Sequence, residues 1–112
     1  MADVDIKRGD TWPPVDAVLS DQDGVINLTT ATTVKLLFKT QTGSTSYSRT
    51  CAVVDAPGGR VRYLWTAADA ATGPTSAVNA FNIEFEITWS DGSVTTVPNM
   101  GYKTLAVTAD LG

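Results

Sequence analysis

The stretch that most limits how this chain can fold is Phe81-Asn82-Ile83-Glu84-Phe85-Glu86-Ile87-Thr88-Trp89. Apolar side chains hold every odd position and polar ones every even position, a period of two. Wound into a helix, the same residues would scatter the aromatics around the axis and set Glu84 and Glu86 about 200° apart. An extended strand sorts them, with one face in a core and one in water. Ser90-Asp91-Gly92-Ser93 follows, and an Asp-Gly pair is a strong hairpin signal because tight turns between strands need positive φ. Residues 94–97 are therefore expected to return antiparallel to it.

The same period recurs upstream. Val34, Leu36 and Phe38 alternate with Lys35, Leu37 and Lys39, and Val61, Tyr63 and Trp65 alternate with Arg62 and Leu64. Residues 47–55 read as one further strand, closed by the turn residues Ala56-Pro57-Gly58-Gly59. Asp21-Gln22-Asp23-Gly24 separates strands at 16–20 and 25–28, and a last strand runs from about Tyr102 to Thr108. Only residues 66–74 break the pattern. Their alanines suit a short helical turn or loop between sheets, with Thr66 as cap and Gly73 as stop. About seven or eight short strands with turn signals every 8–12 residues predict an all-β fold, an immunoglobulin-like antiparallel β-sandwich. At 112 residues the chain is one domain, 1–112, with 1–14 as a candidate N-terminal docking arm.

Composition narrows the function classes. A net charge of −4 with only eight scattered Lys and Arg gives no basic stripe to displace counterions, so nucleic acid is not an expected partner. No apolar run approaches the ~20 residues that span a bilayer, and no membrane association is expected. The first ten residues are polar and of mixed charge, unlike a secretory signal. The single cysteine, Cys51, cannot form an internal disulfide and reads as a small buried hydrophobe on a strand.

Histidine is absent, which removes the commonest general base near neutral pH and the commonest metal ligand. No glycine-rich stretch has the spacing that cradles a phosphate or dinucleotide. Glu84 and Glu86 share one strand face about 7 Å apart, a spacing some glycosidases use, but they are also the plain outward positions of an alternating strand. Asp21 and Asp23 beside Gly24 resemble part of a calcium loop whose remaining ligands are missing, so turn formation accounts for them. Arg8-Gly9-Asp10 matches an integrin-recognition tripeptide, yet a turn at the first strand explains it and nothing indicates secretion. The expectation is a chain with no catalytic residues, no cofactor and no metal, and so not an enzyme.

Contacts are sought instead where alternation leaves apolar residues facing out. Leu37 and Leu64 stand at positions where the pattern expects polar side chains. Trp12-Pro13-Pro14 would be a stiff, pre-extended segment with an aromatic to present, or would fold Trp12 back onto its own sandwich. These five residues, Trp12, Pro13, Pro14, Leu37 and Leu64, are the candidate partner-binding positions.

One resemblance adds to this. Ile6-Lys7-Arg8-Gly9-Asp10-Thr11-Trp12-Pro13-Pro14 is followed by Leu19-Ser20-Asp21-Gln22-Asp23-Gly24-Val25-Ile26-Asn27-Leu28-Thr29. Next come the strand 34–38, Gly59-Arg60-Val61-Arg62-Tyr63-Leu64-Trp65, the strand 81–88, Asp91-Gly92 and Val97-Pro98. In order and spacing this resembles the N-terminal domain family of the phage baseplate upper protein. The resemblance implies an immunoglobulin-like sandwich, made in the host cytoplasm and built into a phage virion. It would attach to the tail or baseplate by protein–protein contacts, in several copies or as a homo-oligomer. That family continues into a helical, receptor-bearing region, whereas this chain stops at Gly112. Decoration of the head, through the major capsid protein, is therefore the alternative expectation. A cell-surface adhesive or carbohydrate-binding sandwich is a third. The matched residues are turn and core positions, so no binding residue is carried over from the family.

Overall fold

The computed structural model describes residues 3–98 and 103–109. Met1 and Ala2 of the candidate arm, and Tyr102, lie outside the described residues. Along the chain run β1 (Val4–Lys7), β2 (Val15–Val18), β3 (Ser20–Asp21), β4 (Gly24–Val25), β5 (Ala31–Thr40), β6 (Ser46–Thr50), β7 (Ala52–Asp55) and β8 (Arg60–Tyr63). A short helix α1 (Ala67–Ala71) follows, then β9 (Asn79–Trp89), β10 (Val94–Val97) and β11 (Lys103–Thr108). The fold is all-β, with more than one sheet.

The alternating stretch is the longest strand and the axis of the larger sheet. That sheet runs β1-β11-β9-β5-β6, with β10 also on β9. β5 covers one edge of β9 from Trp89 to Phe81. On the other edge β10 faces residues 85–88 and β11 faces residues 79–83. The expected hairpin forms: Asp91 Oδ1 accepts from the Ser93 N–H at 2.9 Å, and Gly92 takes φ +89°. A second sheet runs β2-β8-β7, and β3 pairs with β4. Every pairing is antiparallel except β1 with β11, which is parallel.

Inward residues of both larger sheets share one core. Val34, Leu36 and Phe38 of β5 and Phe81, Ile83, Phe85 and Ile87 of β9 are buried, as are Val15 of β2 and Val61 and Tyr63 of β8. Phe38 of the larger sheet meets Trp65, just beyond β8, edge-on with ring centroids 6.0 Å apart. Such edge-to-face pairs contribute about 0.5–1.5 kcal/mol beyond their buried area.

Two expectations are corrected in detail. Residues 47–55 do not form one strand within one sheet. The chain leaves the larger sheet at Cys51, whose N–H donates to the Val34 carbonyl at 2.8 Å, and continues as β7 of the smaller sheet. Inward parity persists across the crossing: Phe38 faces Tyr47, Leu36 faces Arg49, and Val61 faces Val53. The candidate arm is also divided, because Val4–Lys7 is a strand against β11 with Ile6 in the core.

The stretch 66–74 forms the expected helical turn. Thr66 Oγ1 accepts from the Asp69 N–H while the Asp69 carboxylate accepts from the Thr66 N–H, a reciprocal capping box. The Gly73 N–H closes the helix on the carbonyls of Ala68 and Asp69.

Candidate interaction surface

The outer face of the β2-β8-β7 sheet is built by the same parity that fills its inner face. Val15 opposite Tyr63 and Ala17 opposite Val61 face inward, so Asp16 opposite Arg62 and Val18 opposite Arg60 face out. Asp16 is gripped by two arginines. Arg62 donates from Nη2 at 2.7 Å and from Nε at 3.1 Å, and Arg60 donates from Nε at 3.2 Å. These bonds, from Arg60 first and then Arg62, hold its carboxyl below the ordinary carboxylate range. The cluster is open to solvent, so it contributes little to stability.

Leu64 is the next residue after Tyr63, on the outward parity, and is 55% exposed. Continuing the register one step past Val15 and Tyr63 sets Pro14 beside it. Trp12 lies two residues further and is 65% exposed, so it does not fold onto its own sandwich. The backbone bends at Pro13, so a straight pre-extended segment is not formed. Four of the five candidate residues, Trp12, Pro13, Pro14 and Leu64, thus gather at one end of this sheet. Leu37 does not join them. It faces out from the other sheet, opposite Glu84 and Ser48 and half-buried. Leu37 and Leu64 therefore belong to different sheets.

Glu84 and Glu86 stand on the outer face of β9, opposite Leu37 and Lys35. Among the described residues no group of three or more His, Cys, Asp or Glu is placed to hold a metal ion. Asp23 donates its N–H to Asp21 Oδ1 at 2.9 Å, the expected turn. Gly9, with φ +83°, donates to the Thr75 carbonyl, and the Asp10 N–H returns to the Lys7 carbonyl, so Arg8-Gly9-Asp10 is the turn that ends β1.

Sequence reasoning missed Asp69. It is 2% exposed, at the foot of α1, and it ties the helix to both sheets. It accepts from the Tyr63 hydroxyl of β8, from the Thr66 N–H at 3.0 Å, and from Arg49 Nε of β6 at 3.0 Å, with Arg49 Nη2 completing an ion pair at 3.0 Å. Burial is the largest single influence and pushes its carboxyl up, but the bonds from Tyr63, Thr66 and Arg49 together outweigh it, so the group lies below its ordinary value. Burial, then the bond to Asp69, pushes the Tyr63 phenol up to about 12. Threonine three residues before an acidic side chain was the available signal.

Compared with known proteins, the chain matches no family model and no curated protein.

Proposed function

We propose that this chain is a non-enzymatic, immunoglobulin-like structural module of a phage virion. It attaches to the tail or baseplate by protein–protein contacts made by Trp12, Pro13, Pro14 and Leu64. The observation that carries the reading is the gathering of those residues, which the sequence places 50 positions apart, at one end of the β2-β8-β7 sheet. A large aromatic and a leucine exposed to water beside the end of a sheet are the residue types that anchor protein interfaces. The order of turn and strand motifs along the chain supports the virion assignment. A chain that passes between two sheets over one core, as at Cys51 and again through α1, supports the sandwich assignment.

The test is where the chain resides and what holds it there. An antibody against the chain should label purified tails in electron micrographs. Labelling of heads instead would move attachment to the capsid lattice and refute the baseplate assignment. The double substitution Trp12→Ala, Leu64→Ser should lower incorporation into particles by at least about tenfold. Because both side chains are exposed, thermal stability should change by only about 0.5 kcal/mol. Undiminished incorporation would remove this surface from the proposal.

A further inference from the structure

The outer face of the larger sheet carries a groove of about 480 Å³ at its β5–β6 end. Register builds its floor: Leu37 stands opposite Glu84, and Lys39 opposite Asn82. The hairpin that joins β5 to β6 closes one side with Gln41. Its main-chain N–H is fixed to the Ala80 carbonyl at 3.0 Å, and its Nε2 donates to Asn82 Oδ1 at 3.2 Å. That bond orients both amides. It uses the Asn82 oxygen and one Gln41 N–H, so the Asn82 N–H donors and the Gln41 carbonyl oxygen are the amide groups left for a ligand in the groove that both residues line. Thr40 Oγ1, in the groove wall, is enclosed and has no hydrogen-bond partner. Gly43 covers it so closely that a Cβ there would lie 2.9 Å from that oxygen.

The chemistry of the walls selects the ligand. Lys39 and Glu84 cancel in charge, so the groove favours neither an anion nor a cation. Amide, carboxylate and ammonium groups supply donors and acceptors side by side, over a floor of Leu37 with Phe38 and Tyr47 also lining the groove. A ligand with hydroxyls that both donate and accept, and with a C–H face to lay on Leu37, satisfies that set. The groove lies over β5, whose main chain is already paired with β6 on one side and β9 on the other, so its floor offers a ligand side chains rather than a strand edge. We propose that this groove binds a neutral mono- or disaccharide, with Gln41, Asn82 and Glu84 bonding its hydroxyls and Leu37 beneath its ring. The site faces away from the Trp12 and Leu64 surface and does not depend on the virion reading.

The experiment titrates the ¹⁵N-labelled chain with glucose, galactose, mannose, N-acetylglucosamine, lactose and maltose. Sialic acid and glucosamine serve as charged comparators. A solvent-open groove with one aliphatic contact gives affinity on the order of millimolar. Saturable shifts should appear at the Gly43 N–H and at the Gln41 and Asn82 side-chain amides with at least one neutral sugar. Asn82→Ala should weaken that binding by about tenfold while the other β9 amide signals stay in place. If that variant loses its folded spectrum, Gln41→Ala on the hairpin carries the same expectation. The proposal fails if no neutral sugar gives saturable shifts there up to about 100 mM. It also fails if only charged sugars bind, or if the folded variant binds as the parent does.

Discussion

Replacing Asp69 with Ala removes a side chain that bonds to the N-cap of α1, to β6 and to β8 together. The cost can be apportioned by exposure. Tyr63 is 8% exposed, so its hydroxyl would be left without an acceptor, at about 1–3 kcal/mol. Half of the capping box goes too, about 0.5–1 kcal/mol. The Arg49 side chain is 30% exposed and can turn to water, so the broken ion pair adds at most about 1 kcal/mol. A total near 3 kcal/mol corresponds to a fall of about 12 °C in Tm for a domain of this size. Urea unfolding followed by tryptophan fluorescence measures it. Tyr63→Phe supplies the internal control, since it removes the hydroxyl that Asp69→Ala strands. Alone it should cost about 1–2 kcal/mol; in the Asp69→Ala background it should cost nothing and recover part of the loss, because the stranded hydroxyl is gone. The effect is also pH-dependent. The Asp69 carboxyl is held below its ordinary 3.8 in the native state, so its stabilisation is present above about pH 4. It is lost as pH falls through the native value, so the gap between parent and variant should narrow as pH drops below about 4. A cost below about 1 kcal/mol, or an equal Tyr63→Phe cost in both backgrounds, would refute this account of the site.

Two further outcomes follow from buried positions. Burial pushes the Cys51 thiol up to about 12, so a thiol reagent at pH 8 should leave the native chain unlabelled and label it promptly in denaturant; fast native labelling would contradict the crossing strand. Gly59 combines φ +67° with a Cβ position 2.7 Å from the Ile26 carbonyl oxygen and 2.8 Å from that of Leu19. Gly59→Ala should therefore cost about 2–4 kcal/mol. Gly92→Ala, with φ +89° but open space around it, should cost only about 1–2 kcal/mol in the same melt.

What could be read in advance was whatever is local. The β9 strand, its hairpin to β10 and the helical turn after Trp65 each depend on residues within a few positions of one another. The exit at Cys51 escaped because positions 47, 49, 51 and 53 keep the same register parity opposite core residues as the strand changes sheets, so the period shows no break. Likewise β1 offers only Val4 and Ile6 as a pattern, and its partner Leu105–Val107 lies about a hundred residues away. Leu37 and Leu64 looked alike because alternation reports which residues face out but not from which sheet. Trp12, Pro14 and Leu64 converge only through the β2–β8 register. The groove at Gln41 depends on a loop meeting Ala80 and Asn82, which no periodicity encodes.

The parallel pairing of β1 with β11 has a mechanical consequence. Tension applied before Val4 and after Thr108 pulls the two neighbouring strands lengthwise past each other. Their hydrogen bonds lie across that pull and are loaded together, as in shear. Tension that separated β9 from β10 at the open end of their hairpin would instead part the ladder one bond at a time. The same number of bonds resists far more force in the first geometry than in the second. A module anchored upstream of β1 and loaded downstream of β11 would therefore yield all at once, at a high threshold, rather than by gradual peeling.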